Sequence, residues 1–323
     1  MDRRHFLAVT GLAGAGTLIP AARPARAQTY PARPVTVLVP FAPGGTGDLS
    51  ARVLADQARN RRNAPVAVDF RPGAGGTLGV TQVARAAPDG TMLGLYSVSP
   101  FGTLPHVQRV PYDAAKDFTY VVAHSYVPIA LYVRTDSPLK SWDDLVKFGK
   151  DNPGRLRWGT SGVRGAAHIA IEASFRKLGL RATFVPFTGG AEAMTALLGG
   201  HIEASVSSDY GPQLQAGQVR LLASTGTEQI AGQPDVPTFK TLDQPLAVEA
   251  IYGLVGPAGL PADAVAYWND VARDMMETPD YRTYLDVVRG GRLLWDHAEF
   301  TARAVETYRR LGEAMDSLGF RAR

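Results

Sequence analysis

Four glycine-rich loops constrain this chain more than any other feature. They read Ala42-Pro43-Gly44-Gly45-Thr46-Gly47, Gly73-Ala74-Gly75-Gly76, Thr160-Ser161-Gly162-Val163-Arg164-Gly165 and Thr188-Gly189-Gly190. Each follows a short apolar run and precedes a stretch with helical periodicity. The run before the first, Val35-Thr36-Val37-Leu38-Val39, is continuously apolar apart from one threonine. Such a strand is buried on both faces, as in a parallel sheet covered by helices. Strand, tight loop and helix in repeated succession specify an α/β fold.

The alternation continues along the chain. Strands are expected at 35–39, 66–70, 92–96, 120–123 and 129–133, then at 156–158, 183–186, 202–206, 220–223 and 247–255. Helices are expected from Asp48, from the 73–79 turn, and over 141–150, where Ser141 and Asp144 form a capping arrangement. Further helices are expected over 166–178, 191–198, 262–276, 280–287 and 297–318. The two halves share this grammar, which predicts two lobes, each a doubly wound sheet flanked by helices. The crossings are expected near Val127–Pro128 and 250–253. Residues 31–126 with 253–323 then form lobe 1, and 127–252 form lobe 2.

Residues 1–27 read as an address. Arg3-Arg4-His5-Phe6-Leu7 precedes a small, apolar run from Ala8 to Ile19, and Ala25-Arg26-Ala27 follows. This is a secretory signal with cleavage expected after Ala27. The arginine pair favours the twin-arginine route. The product is therefore expected in the periplasm. Cleavage removes four arginines and one aspartate, leaving 30 basic against 29 acidic residues. So balanced a charge gives no reason to expect nucleic acid as a partner. The chain has no cysteine, which excludes disulfides, thiolate metal sites and a cysteine nucleophile. The expected state is a monomer without cofactor or metal.

Loops at the carboxyl ends of strands are where open α/β sheets bind ligands. A glycine-rich loop there presents backbone N–H groups at a helix N-terminus, where the dipole favours an anion. Four loops, two from each half, predict a cleft lined by amide donors. The phosphate fingerprints are missing: there is no G-x-x-x-x-G-K-[ST], and Leu78 stands where G-x-G-x-x-G needs its last glycine. Gly159-Thr160-Ser161-Gly162-Val163 falls one glycine short of a nucleophile elbow, so Ser161 is a weak nucleophile candidate. The histidines outside the leader show no metal-ligand spacing. His168, in the first turn of a helix, either faces the cleft or satisfies a buried polar contact. Asp209 either meets a donor on the ligand or caps a helix.

Beyond these features, Val39-Pro40-Phe41-Ala42-Pro43-Gly44-Gly45-Thr46-Gly47-Asp48, with Ala51-Arg52 after it, resembles the signature of the Bug-type receptors of tripartite tricarboxylate transporters. The likeness runs on through Arg71-Pro72-Gly73-Ala74-Gly75-Gly76, Pro88-Asp89-Gly90, Ser161-Gly162 with His168, Val185-Pro186-Phe187, Leu198-Gly199-Gly200 and Pro234-Asp235-Val236-Pro237-Thr238. It implies a type II-like periplasmic binding-protein fold. Such a fold closes on a small carboxylate (mono-, di- or tricarboxylate, or amino acid) and delivers it to membrane transporter subunits. In that family the loops matching Phe41, Ala42, Pro43, Gly44, Gly45 and Thr46, with Gly75 and Gly76, serve the ligand from one lobe. Those matching Thr160, Ser161, Gly162, Arg164, Gly165, Ala166 and His168, with Gly189, Gly190 and Ala191, serve it from the other. Departures stand at Phe70, where the family usually has Asn, in the hydroxyl-poor Val163–Ala167 loop, and at Thr188-Gly189-Gly190. Arg164 is the boldest of them: it either forks onto a second ligand carboxylate or stands solvated at the rim. A hydrolase using Ser161, or a sensor that hands its liganded form to a signalling partner, are the alternatives on the same scaffold.

Overall fold

Burial of Val35, Val37 and Val39, each at most 1% exposed, sets β1 (Val35–Val39) inside a six-stranded sheet. The computed structural model describes residues 30–322. The leader, its cleavage after Ala27 and its export route lie outside the described residues. β1 pairs in parallel with β2 (Val66–Phe70) and β3 (Met92–Tyr96). The links are α1 (Thr46–Arg62) and α2 (Thr77–Ala84). β4 (Phe118–Val127), β10 (Ala250–Pro257) and β11 (Gly291–Trp295) complete the sheet, in the order β11-β4-β10-β3-β1-β2.

The second sheet has five strands, in the order β7-β6-β8-β5-β9. β6 (Arg157–Ser161), β7 (Thr183–Phe187) and β8 (Ala204–Ser207) are parallel. Its other two strands are β5 (Ala130–Arg134) and β9 (Val219–Ser224). Four helices belong to this half: α4 (Trp142–Asp151), α5 (Ala166–Leu178), α6 (Gly190–Leu198) and the short α7 (Gly211–Gln215). Against the first sheet lie α8 (Ala262–Met276), α9 (Pro279–Val288) and α10 (His297–Ser317).

Local chemistry explains most helix boundaries. Ser141 Oγ accepts from the Asp144 N–H at 3.1 Å, so the expected cap does start α4. Asp296 caps α10 through the Glu299 N–H at 3.0 Å. Thr278 caps α9, with Pro279 in the first helical position. Gly179, at φ +69°, ends α5 in the left-handed conformation that glycine adopts without strain.

The two-lobed α/β class is as expected, and the sheets add a refinement. Only three strands of each pair directly in parallel ladders; β10 runs antiparallel to β3 and β4, and β5 runs antiparallel to β8 and β9. β11 falls in a stretch that periodicity left without an element. Its five residues alternate half-buried and exposed along the edge of β4, too short a run to announce itself. A π-helical turn at Ser99–Thr103 running into α3 (Leu104–Val107) is likewise silent in the sequence.

Two passages join the sheets. β4 ends at Val127 and β5 begins at Ala130; after β9, the chain returns at Ala250, which pairs with Val127. The first sheet thus holds Val127 and takes the chain back at Ala250, a few residues from the expected crossings.

His124, fully buried in β4, has Nε2 3.0 Å from Ser50 Oγ, while Nδ1 meets no partner. Desolvation pushes its pKa down from 6.5 to about 3. The unfolded chain therefore binds a proton that the folded chain refuses. Stability is full above about pH 6.5 and falls as pH drops towards 3. Thermal melts should show that loss. A His124→Gln variant should show a flatter profile in the same window, and equal slopes would remove His124 as the acid-sensitive group.

Candidate functional site

The carboxyl ends of the parallel strands in both sheets face one another across a cavity of about 70 Å³. Phe41, Ala42, Gly45 and Gly47 approach it after β1, and Ser97, Val98 and Ser99 after β3. From the second sheet come Thr160 and Ser161 at the end of β6, Ala167 in the first turn of α5, Gly190 opening α6, and Ser207, Ser208 and Asp209 around the end of β8. Ile129, Ala250 and Tyr252 close the back, where the chain passes between the sheets.

Three helices begin here, each with a glycine N-cap and no side-chain cap: Gly45 for α1, Gly165 for α5 and Gly189 for α6. Their first N–H groups lack intrahelical partners and sit at the positive end of the dipole. The seat on α1 is taken by the protein itself. Asp209 Oδ1 accepts from the Thr46 N–H at 2.6 Å, and Thr46 Oγ1 donates to the Ser208 carbonyl at 2.8 Å. Glycine at 190 is what lets Asp209 approach α6 as well: a Cβ there would lie 1.5 Å from Asp209 Oδ2. One carboxylate thus lies against the start of a helix in each lobe. At α5, the Ala166 N–H donates to Ser99 Oγ, which belongs to the opposite lobe, at 3.0 Å.

Two buried hydroxyls of the cavity lining remain uncommitted. Thr160 Oγ1 and Ser97 Oγ, from opposite lobes and 1% and 6% exposed by residue, meet no hydrogen-bond partner. A buried polar atom without a partner costs roughly 1–3 kcal/mol, a cost that a bound polar solute would relieve.

Seven of the residues expected at the site line the cavity: Phe41, Ala42, Gly45, Thr160, Ser161, Gly190 and Asp209. Others hold the lobes together beside it. A Cβ on Gly162, at φ +95°, would stand 3.0 Å from Gly75 Cα, so these two glycines let the backbones touch. Gly189 approaches Ala42 in the same way. The Gly76 N–H is already used, donating to the Gly73 carbonyl at 2.9 Å, so that amide serves the 73–76 turn. Gly44 donates to Asp48 Oδ2 at 2.9 Å. Gly44, Thr46 and Ala191 line a separate hollow on the outer side of Asp209, while Pro43 is exposed.

Two charged candidates have other employment. The Arg164 guanidinium donates to the Val107 carbonyl at 2.9 Å, at the end of α3 in the first lobe. It bridges the lobes, so without solute this guanidinium is engaged by the protein itself. His168 Nδ1 accepts from the Arg164 N–H at 3.2 Å, and its Nε2 lies 2.9 Å from Glu172. Burial holds this imidazole below the usual histidine range. It packs on Trp158 and Phe184 and lies off the cavity, so Ser161 has no general base in His168.

Sequence reasoning passed over Ser97, Ser99, Ser207 and Ser208. Each stands at or just beyond the carboxyl end of a strand, which was the available signal, but none sits in a glycine-rich loop. Ile129, Ala250 and Tyr252 are ordinary apolar residues in sequence, and only the passage between sheets makes them walls.

Residues 50–316 match the model of the Tripartite tricarboxylate transporter family receptor. The chain is 32% identical to the UPF0065 protein in the gbd 5' region of Cupriavidus necator, over 99% of this chain and 98% of that one. The solved structure of the periplasmic binding protein BugD superposes with a TM-score of 0.84 at 27% identity, covering 91% of this chain and 100% of that one. MatC from Rhodopseudomonas palustris with bound malate superposes with a TM-score of 0.80 at 28% identity, covering 88% and 99%.

The Arg164 bridge makes a definite expectation. Arg164→Ala should weaken every carboxylate about equally, by about 1 kcal/mol or fivefold, because one partly buried, charge-assisted bond between the lobes is lost. Calorimetry with a diacid and its matched monoacid checks this. A loss confined to the diacid would favour the fork onto a second ligand carboxylate.

Proposed function

The chain belongs to the Bug-type family of tripartite tricarboxylate transporter receptors, and we propose that it captures a small carboxylate in the periplasm and presents it to the membrane subunits of such a transporter. The family is one of solute receptors, not enzymes. Among the described residues, no helix is long and apolar enough to cross a membrane, and no cluster of His, Asp and Glu is placed to hold a metal.

The observation that carries this reading is the pair of buried, unpartnered hydroxyls, Thr160 Oγ1 and Ser97 Oγ, on cavity-lining residues of opposite lobes beside the start of α5, whose first N–H goes to Ser99. A carboxylate between them would accept from both hydroxyls and meet the favourable end of the α5 dipole. Asp209 already occupies the α1 seat and repels a second anion there, so the far end of the solute meets an acceptor. That arrangement favours a hydroxylated or aminated carboxylate, whose O–H or N–H donates to Asp209. The malate in MatC is a solute of this chemistry bound to a relative.

Closure belongs to the same proposal. The lobes, 31–126 with 253–323 and 127–252, would hinge at the Val127–Ala130 link and at the return into β10. Opening would part the contacts of Thr46 with Asp209, Ala166 with Ser99 and Arg164 with Val107. Small-angle scattering should show a smaller radius with saturating ligand, and superimposable profiles would count against a hinge.

A thermal-shift screen of the chain from Gln28 onward, against mono-, di- and tricarboxylates and their hydroxy and amino analogues, tests the class. A ligand at 100 times its dissociation constant should add about 2.7 kcal/mol. Thr160→Val should then weaken the best ligand about tenfold. Asp209→Asn should narrow the preference for malate over succinate. Recovery of hydrolysed rather than intact ligand, or no response to any carboxylate, would sink the receptor reading.

A further inference from the structure

A second cavity lies behind β10. It encloses about 290 Å³ between α10, β10 and the connection leading into β10. Alternation along the start of β10 separates it from the cleft: Ala250 and Tyr252 face the cleft, while Glu249 and Ile251 face the second cavity. Val98 is the one residue lining both. Tyr96, Phe300 and Trp295 form an aromatic floor, with rings in edge and tilted contact 5.0 Å and 6.3 Å apart. The Tyr96 hydroxyl makes no hydrogen bond among the described residues, although the residue is only 3% exposed.

The mouth is cationic. Arg303, Thr307 and Arg310 stand at i, i+4 and i+7 on α10 and so share one face. Arg310 is exposed and takes part in no ion pair among the described residues. Arg303 stacks over Trp295, its guanidinium 5.5 Å from the ring centroid, and pairs with Glu299 at 3.3 Å. One acid, Glu249, also lines the cavity at the end away from α10, where its Oε1 accepts from the Thr227 N–H at 2.9 Å and from the Thr227 hydroxyl at 3.2 Å. Glu306 is held by Arg309.

The geometry points to a second binding site here, for a small amphipathic monoanion: an arylalkyl carboxylate with its ring on Tyr96, Phe300 and Trp295 and its carboxylate at Arg303 and Arg310. An apolar cavity with a few convergent polar groups has the make-up of a small-molecule site. A guanidinium at the mouth matches a carboxylate, and Arg303 and Arg310 each bring one to the lining. Ala304, 5% exposed at the centre of the α10 wall, leaves the room that a larger side chain would fill.

The probe is 3-phenylpropionate, added to the chain from Gln28 onward labelled with 5-fluorotryptophan. Among the four tryptophans, Trp295 alone lines this cavity, and Trp295→Phe assigns its fluorine resonance. The probe should shift the Trp295 resonance saturably. The shift should persist in Ala167→Phe, which fills the cleft. Arg310→Glu, an exposed substitution that leaves the fold intact by circular dichroism, should weaken binding at least tenfold. Ala304→Leu should abolish it, and 3-phenylpropionamide should bind at least tenfold more weakly than the acid. Four results would overturn the proposal: no saturable shift, loss of the shift in Ala167→Phe, equal binding to Arg310→Glu, or equal binding of the amide.

Discussion

The bond between the Asp209 carboxylate and the Thr46 N–H is the interaction on which the meeting of the two lobes depends. It joins the end of a strand in one lobe to the start of a helix in the other. It satisfies one of the orphan donors of α1 and sets a negative charge at the positive end of that helix. Because Asp209 holds this seat, the proposed placement puts a solute's carboxylate at the α5 end of the cavity. The Gly190 contact follows from the same placement, since any side chain there would collide with the carboxylate. The other lobe contacts, Ala166 with Ser99 and Arg164 with Val107, flank this bond and close the cleft around it.

Much of the fold was legible because its signals are local. Continuous apolar strands and capped amphipathic helices announce themselves over a handful of residues. The bounds of α5 and α8 in the structure coincide with those expected from the sequence. What stayed hidden depends on distant partners. β11 is a strand because the edge of β4 is free to pair, and nothing within Gly291–Trp295 states that. The antiparallel return of β10 likewise depends on where the chain re-enters the first sheet.

The site divides along the same line. Glycine-rich loops after strands mark where backbone approaches backbone, and that much was readable. Which glycines touch solute and which touch the opposite lobe was not. Gly162 and Gly75 meet each other, whereas Gly45 and Gly190 meet the cavity, and the four are alike in sequence. Arg164 and His168 were left with two readings each for a related reason. Each is polar and near a helix start, but a carbonyl in the other lobe and a glutamate one turn away claim them first.

The glycine N-caps carry an evolutionary consequence. When an anion is held by main-chain amides, its receptor atoms are the same whatever side chains surround them. Substitution can then reshape the walls, through Ile129, Ala167 or Tyr252, while the groups that would hold a carboxylate stay in place. Such a scaffold separates the chemistry common to its solutes from the features that tell them apart, and a lineage built on it can change diet by small steps without first losing its grip.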